Sequence, residues 1–272
     1  GDQDLVKNIL SGNHEKLNGK KIDAVMHFAA FAYVGESINN PMMYFKNNVE
    51  NSINLINSIV NENFQRIKKG LLKIPIIFSS SCATYGVPTS LPIKENTIQL
   101  PINPYGRSKL IIENVLSDYA NAYNLPSVIY RYFNAAGCDP NGLIGENHDP
   151  ETHLIPRAFQ AIEGFIDTLQ IFGDDYETKD GSCIRDYIHV SDIADAHILG
   201  LSFLDRELNS DNRKKVICEA FNLGNGNGYS VKEVIKTIEN ITNKKVPSSI
   251  VKRRIGDPPI LFASSTKAKE FL

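Results

Sequence analysis

Apolar, largely β-branched runs alternate along this chain with segments of helical character, and the alternation itself predicts an architecture. IDAVMHFAA, from Ile22, reads as a buried strand, and the stretch from Pro41 to about Asn63 reads as a helix with proline at its first turn. IPIIFSSS, from Ile74, is the next strand, Tyr105 to Asn124 the next helix, and SVIYRYF, from Ser127, a further strand. Strands separated by helices favour a parallel sheet with crossover helices. The later half is more broken. NAAGCDPNGLIGENHDPETH is rich in Gly, Pro and Asn and reads as loop. Beyond it come a helix after Leu154, a short strand at LQIF, a strand at RDYIHV and a helix from Ser191. Ser230 and Glu233 can each satisfy the other's free backbone N–H, so a capping box opens one more helix.

One absence changes this picture. A doubly wound dinucleotide-binding fold opens with a strand, a glycine-rich turn and a helix whose N-terminus holds the pyrophosphate. No such glycine pattern stands near the front here, and GNGNG at Gly224 follows a late strand. The chain is therefore expected to start inside the fold, with roughly 50–60 residues (two strands and two helices) ahead of it. It is likewise expected to stop short in the helical segment TKAKEFL.

Composition narrows the function classes. With 272 residues, 42% hydrophobic and 22% charged, the chain can bury a core as one large domain or two intimate ones. A net charge of −2 offers no basic field for a nucleic acid or an anionic membrane surface. No apolar run reaches the roughly 18 residues of a membrane span, and GDQDLVKNIL lacks the features of a secretory signal. Cys82, Cys138, Cys183 and Cys218 lie far apart with no C-x-x-C, which points to reduced thiols in the cytoplasm. His148 and His153 are five apart with no E-x-x-H, so no metal is expected.

The candidate chemistry starts with PYGRSK. Tyr105 and Lys109 lie one turn apart on the same helix face. A nearby ammonium, with the positive nicotinamide of an oxidised cofactor, would stabilise the phenolate of a tyrosine otherwise too weak as a base. Chance alone supplies about one Y-x-x-x-K in a chain of this composition, so the pair needs context. FSSSCATYG supplies it: a serine at the carboxyl end of a buried strand, where open α/β sheets place their ligands.

Taken in order, HFAAFAYVGES, NNVENSINL, FSSSCATYGVP, NPYGRSK, RYFNAAG, ETHLIPRA, IFGDDYETKDGSCIRDYIHVSDIADAH, FNLGNGNGYSV and KRRIGDPP closely resemble the UDP-glucose 4-epimerases of the extended short-chain dehydrogenase/reductase family, almost end to end. The resemblance implies a doubly wound, Rossmann-type parallel sheet with a smaller mixed α/β part that binds the UDP-sugar. It places NAD on residues 1–133, without the first strand–turn–helix portion, and the nucleotide sugar mainly on 134–272, with 185–204 returning to the sheet. It also implies a homodimer built from the helices after Pro41 and after Tyr105.

Carried over by resemblance, Ser81 would hydrogen-bond the sugar's 4-hydroxyl, Tyr105 would act as base and acid, and Lys109 would hold the nicotinamide ribose. Asp2 resembles the acidic residue at the adenine end. Phe28, Ala29, Ala30 and Asn48 would line the cofactor, with Phe133 beside the nicotinamide. For Phe28, Ala29 and Phe133 the residues alone suggest sheet core. Asn134, Arg185, Arg254 and Asp257 would bind the UDP portion, guanidinium forks being suited to phosphate oxygens. Solvated surface charge is the plainer reading of an arginine, except for Arg185, which opens an apolar strand. His153 would contact the nucleotide. Phe172 would pack on uracil or in the core. Leu261 would either leave room beside the sugar's C2 substituent, admitting an N-acetyl group, or belong to a strand's core.

NENFQRIKKGLLKIPIIF is longer than the usual family connection, which predicts a surface insertion around Gln65 to Lys73. The expected reaction interconverts UDP-glucose and UDP-galactose through a 4-keto intermediate. An epimerase of UDP-N-acetylglucosamine, UDP-xylose or UDP-glucuronate is the near alternative. A non-catalytic protein that keeps the fold as a binding module is the distant one. Dehydratases need an acid/base pair just after the strand serine, where this chain has Cys82-Ala83.

Overall fold

Four parallel strands make the central sheet of this computed structural model, which describes residues 2–209, 216–254 and 257–272. In spatial order they are β1 (Val25–His27), β2 (Ile76–Ser81), β3 (Ser127–Tyr132) and β8 (Cys218–Leu223). β2 is buried along its whole length, and its side chains alternate between the sheet's two faces. Ile76 and Phe78 join one core with Leu10, Ile56, Ile59, Ile112 and Leu116. Ile77 points the other way, to Tyr130, Ile193, Phe203 and Leu204. The first core seats α1 (Gln3–Leu10), α4 (Asn51–Lys68) and α5 (Pro104–Tyr123); the second seats α7 (Val190–Asn209) and α9 (Thr266–Phe271). Each fully buried Ile or Phe contributes about 1.5–3 kcal/mol, so this two-sided burial fixes which ends of the strands face outward together.

The expected strand from Ile22 shrinks to Val25–His27, because only these residues pair with β2. The chain then leaves the sheet through 28–33 and forms α2 (Val34–Asn39) and α3 (Pro41–Tyr44). From Pro41 the backbone stays helical to Lys68, but Phe45–Glu50 is wound as a π-turn, which the apolar periodicity does not betray. The segment 65–73 lies mostly at the surface, as expected, but is tied down by side-chain hydrogen bonds. Buried Arg66 donates to Leu72 O and Ile22 O, and the Asn63 amide brackets Ile74 on both its N–H and its carbonyl.

The second part is built from short pieces. β5 (Leu169–Phe172) pairs with β10 (Ser248–Val251) under α6 (Leu154–Ile162) and α8 (Val231–Thr242), around Ala158, Ile171, Ile235 and Val246. The capping box expected at Ser230 and Glu233 is formed in both directions. β4 (Asn134–Ala136) pairs with β7 (Tyr187–His189), and β6 (Ile184–Arg185) lies between β9 (Tyr229–Ser230) and β11 (Ile260–Leu261).

RDYIHV is therefore not one strand of the main sheet. Asp186 interrupts it: fully buried, its carboxylate accepts the N–H groups of Asn225, Gly226 and Ala263 at 2.8, 3.2 and 3.0 Å. Of the expected return over 185–204, only α7 packs on the main sheet, and β8 completes it. GNGNG folds around that same carboxylate, and a Cβ at Gly224 would sit 2.5 Å from its Oδ2. Among the described residues no helix is long and apolar enough to cross a membrane.

Candidate active site

Ser81 is the last residue of β2 and caps the single turn Cys82–Thr84, its Oγ accepting the Ala83 N–H at 3.2 Å. α5 starts against that turn. Asn103 caps it by accepting the Gly106 N–H at 2.8 Å, with Pro104 at its first position. Glycine at 106 is a packing requirement, since a Cβ there would lie 2.3 Å from the Ala83 carbonyl oxygen. The close approach brings the Tyr105 side chain beside Ser81, near enough for the serine to pull the phenol's pKa down. Lys109, one turn on and 5% exposed, donates to Ser79 O at 2.7 Å and lies 5.9 Å from the Tyr105 ring centroid. The structure thus brings the three expected catalytic residues together at the carboxyl end of β2.

Their electrostatics differ from the expectation in one respect. Burial pushes the Tyr105 phenol up to about 12, against the pull of neighbouring Ser81. Burial also pushes Lys109 down to about 8, with Glu113 working the other way. Lys109, whose ammonium donates to Ser79 O, is not among the groups that shift the Tyr105 phenol here. The positive nicotinamide ring is the remaining source named for lowering it.

Beneath these groups lies a network that local sequence does not reveal. Glu113, two turns along α5 from Tyr105, forms a buried ion pair with Arg131 of β3 at 2.7 Å and accepts the Ser80 hydroxyl. Arg131 also reaches the Tyr85 hydroxyl and the carbonyl of Glu95, and Tyr85 donates to Asn222 at 2.7 Å. On the other face Ser79, Tyr132 and His197 are linked hydroxyl to hydroxyl to ring nitrogen, at 2.8 Å each. Each adjoining position of SSS thus serves a different partner.

The expected cofactor residues divide. Phe28 and Ala29 are exposed beyond the end of β1, not sheet core, and Phe28 stacks on His197 with ring centroids 4.7 Å apart. Ala30 is half-buried beside them. Asn48, buried in the π-turn, spends its amide on Phe31: it accepts the Phe31 N–H and donates to the Phe31 carbonyl, both at 2.9 Å, and reaches Ser108. It shapes the 28–33 loop. Asp2 caps α1, accepting the Leu5 N–H at 2.9 Å. Phe133 is buried with Tyr85, Ile93, Leu261 and Ala263, and Cys82 packs against the group.

On the nucleotide side, Arg185 is buried and pairs with Asp257 at 3.1 Å. The Arg254 guanidinium covers the Phe172 ring at 3.8 Å, the face offered to uracil by the resemblance. Asn134 opens β4, its N–H donating to Asp186 O. Leu261 lies in the Phe133 cluster and pairs with Arg185, which favours the strand-core reading. Gly256 lies outside the described residues. His153 caps α6 without a capping hydrogen bond and turns its Nδ1 to Glu151 and Glu146, at 2.9 and 3.0 Å. Although the sequence spacing suggests no metal motif, the fold gathers Glu146, His148, Glu151 and His153 with ligand atoms within 4.8 Å of one another. A cavity of about 440 Å³ borders this cluster, away from Ser81 and Tyr105.

Comparison with known proteins agrees with this geometry. Residues 11–224 match the NAD dependent epimerase/dehydratase family. A UDP-glucose 4-epimerase of Halalkalibacterium halodurans is 47% identical over 251 residues, 92% of this chain and 70% of that protein. The crystal structure of UDP-glucose 4-epimerase from Brucella ovis in complex with NAD superposes with a TM-score of 0.86 at 47% identity, covering 99% of this chain and 76% of that one. The enzyme from Bifidobacterium longum, in complex with NAD+ and UDP, gives 0.84 at 35% identity over 100% and 74%. The chain belongs to the NAD-dependent epimerase/dehydratase family, in its UDP-glucose 4-epimerase branch.

Proposed function

We propose that this chain interconverts UDP-glucose and UDP-galactose by oxidation and re-reduction at C4 of the sugar, with NAD as resident cofactor. The observation that carries the reading is the convergence of Ser81, Tyr105 and Lys109 at the end of β2, with the tyrosine beside the serine and the Lys109 ammonium one helical turn away. The residues fit the cofactor. An exposed apolar surface at Phe28 and Ala29 suits the flat face of a dinucleotide, and Lys109 is a buried cation at the same sheet end. When bound, NAD accepts the C4 hydride and returns it.

Tyr105 takes the proton of the 4-hydroxyl during oxidation and gives it back during reduction. Ser81 hydrogen-bonds the same oxygen and keeps it within reach of the phenol. The keto sugar turns over while UDP stays tethered, and hydride return to its opposite face inverts C4. We assign the tether to Arg185, Arg254, Asp257, Asn134 and Phe172, and cofactor contacts to residues 1–133.

We further infer a homodimer, in the cytoplasm, through α4 and α5. Phe64 and Ile67 of α4 and Tyr123 of α5 are exposed, and Phe64 meets Tyr123 edge-on at 6.0 Å, which gives one apolar face across both helices. The test is to produce the protein from its complete reading frame, release and quantify bound NAD, and follow UDP-galactose conversion. One NAD per subunit with conversion to UDP-glucose supports the reading. NAD-loaded protein that leaves UDP-galactose unchanged overturns it.

A further inference from the structure

Away from Ser81 and Tyr105, the loop leading into α6 carries two carboxylates and two imidazoles that face one another. His153 Nδ1 lies 2.9 Å from Glu151 Oε1 and 3.0 Å from Glu146 Oε1; His148 Nδ1 lies 3.3 Å from Glu151 Oε2 and 3.5 Å from Glu146 Oε1. The rings of His148 and His153 are 4.7 Å apart at 50°. Four donors in one small volume are the residue types and the number that a zinc-class ion takes. The size also fits. Bonds of about 2.1 Å in a tetrahedron put neighbouring ligand atoms about 3.4 Å apart, and one ligand atom from each of the four residues lies within 4.8 Å of all the others, so a modest contraction closes the shell.

The four residues are not equivalent. Glu151 is the inner one, 8% exposed, and its Oε1 is already held by the N–H groups of Thr152 and His153. That clamp fixes the carboxylate and turns Oε2 toward His148, as an orienting contact around a ligand does. Glu146, His148 and His153 approach from the solvent side, which leaves an entry path. The surrounding backbone is also tied down, with Tyr33 donating to Pro150 O and Arg157 to Glu151 O, both at 3.1 Å. Glu146, His148 and Glu151 form part of the wall of the 440 Å³ cavity, whose floor includes Ile155, Phe159 and Phe165.

From this geometry we infer that Glu146, His148, Glu151 and His153 form a site for one divalent transition-metal ion of the zinc class, fastening the loop before α6. The ion binds two neutral imidazoles and two carboxylates, so the site's net charge is zero. The competing arrangement, imidazoliums paired with carboxylates and no ion, uses the same contacts, and metal affinity separates the two.

The test strips the purified protein with a chelator and titrates it with Zn2+ alone against a chromophoric competitor. The expected result is one equivalent bound more tightly than about 1 μM. His148→Ala should weaken it at least ~100-fold and Glu146→Gln at least ~10-fold, with unchanged circular dichroism. Cys138→Ser, a thiol lining the same cavity, should bind as wild type. Mg2+ should bind far more weakly, since it favours all-oxygen octahedra. Absence of a tight equivalent, unchanged affinity in His148→Ala, loss in Cys138→Ser, or Mg2+ binding as tight as Zn2+ would each overturn the assignment.

Discussion

The two halves of the candidate site are built on opposite plans. At the catalytic end, Ser81, Tyr105 and Lys109 sit on a fully buried strand and a 20-residue helix, with an ion pair and a hydroxyl network beneath them. On the proposed nucleotide side, Arg254, Asp257 and Phe172 stand on or beside strands of four residues or fewer, and their contacts are stacking and a single ion pair, from Asp257 to buried Arg185. A proton transfer needs its donor and acceptor held to within a fraction of an ångström, whereas a tether needs binding energy and tolerates motion. The difference explains why one half is core and the other is loop.

Mutations should break the two halves differently. The largest effect belongs to Tyr105→Phe, which should lose about 10²–10⁴-fold in kcat while UDP affinity, read by calorimetry, stays nearly unchanged. Next is Glu113→Gln. It leaves the Arg131 charge buried without its partner and should cost about 3–5 kcal/mol, visible as a lower urea midpoint. Arg254→Ala should reverse the first pattern, weakening UDP by about 1–2 kcal/mol, roughly tenfold, with kcat near wild type. Equal losses in kcat and UDP affinity for both Tyr105→Phe and Arg254→Ala would erase the contrast.

The smallest effect at neutral pH concerns His27, whose Nε2 meets Ser52 at 2.8 Å. Burial first, and Lys109 second, lower its pKa from 6.5 to about 4. Between those values the unfolded chain binds more protons than the native one, so stability falls as pH drops through the window. His27→Asn should flatten the urea midpoint against pH between 6.5 and 4. A slope identical to wild type would contradict the assignment.

What the sequence discloses follows the same division. Continuous apolar runs mark β2 and β3, and Asn103, Pro104 and the Tyr105/Lys109 spacing mark the start and face of α5, because all of these signals are local. Glu113 and Arg131 are 18 positions apart and meet only because α5 packs on β3, so nothing in either neighbourhood announces the pair. The break at Asp186 is invisible for the same reason, its partners lying about 40 and 77 residues away. The π-turn at Phe45–Glu50 keeps helical composition while turning Asn48 inward. The residues proposed to hold the nucleotide are legible only through resemblance to relatives, since an arginine on a loop has no local signature.

The most direct test of the central claim, that one carbon is oxidised and re-reduced while the proton passes through Tyr105, is an isotope experiment. UDP-galactose carrying deuterium at C4 is converted by the protein in ordinary water, and the UDP-glucose formed is examined by mass spectrometry and NMR. The account predicts full retention of deuterium at C4, because the hydride leaves and returns without meeting solvent. Loss of the label to solvent, or its retention together with near wild-type turnover in Tyr105→Phe, would contradict it.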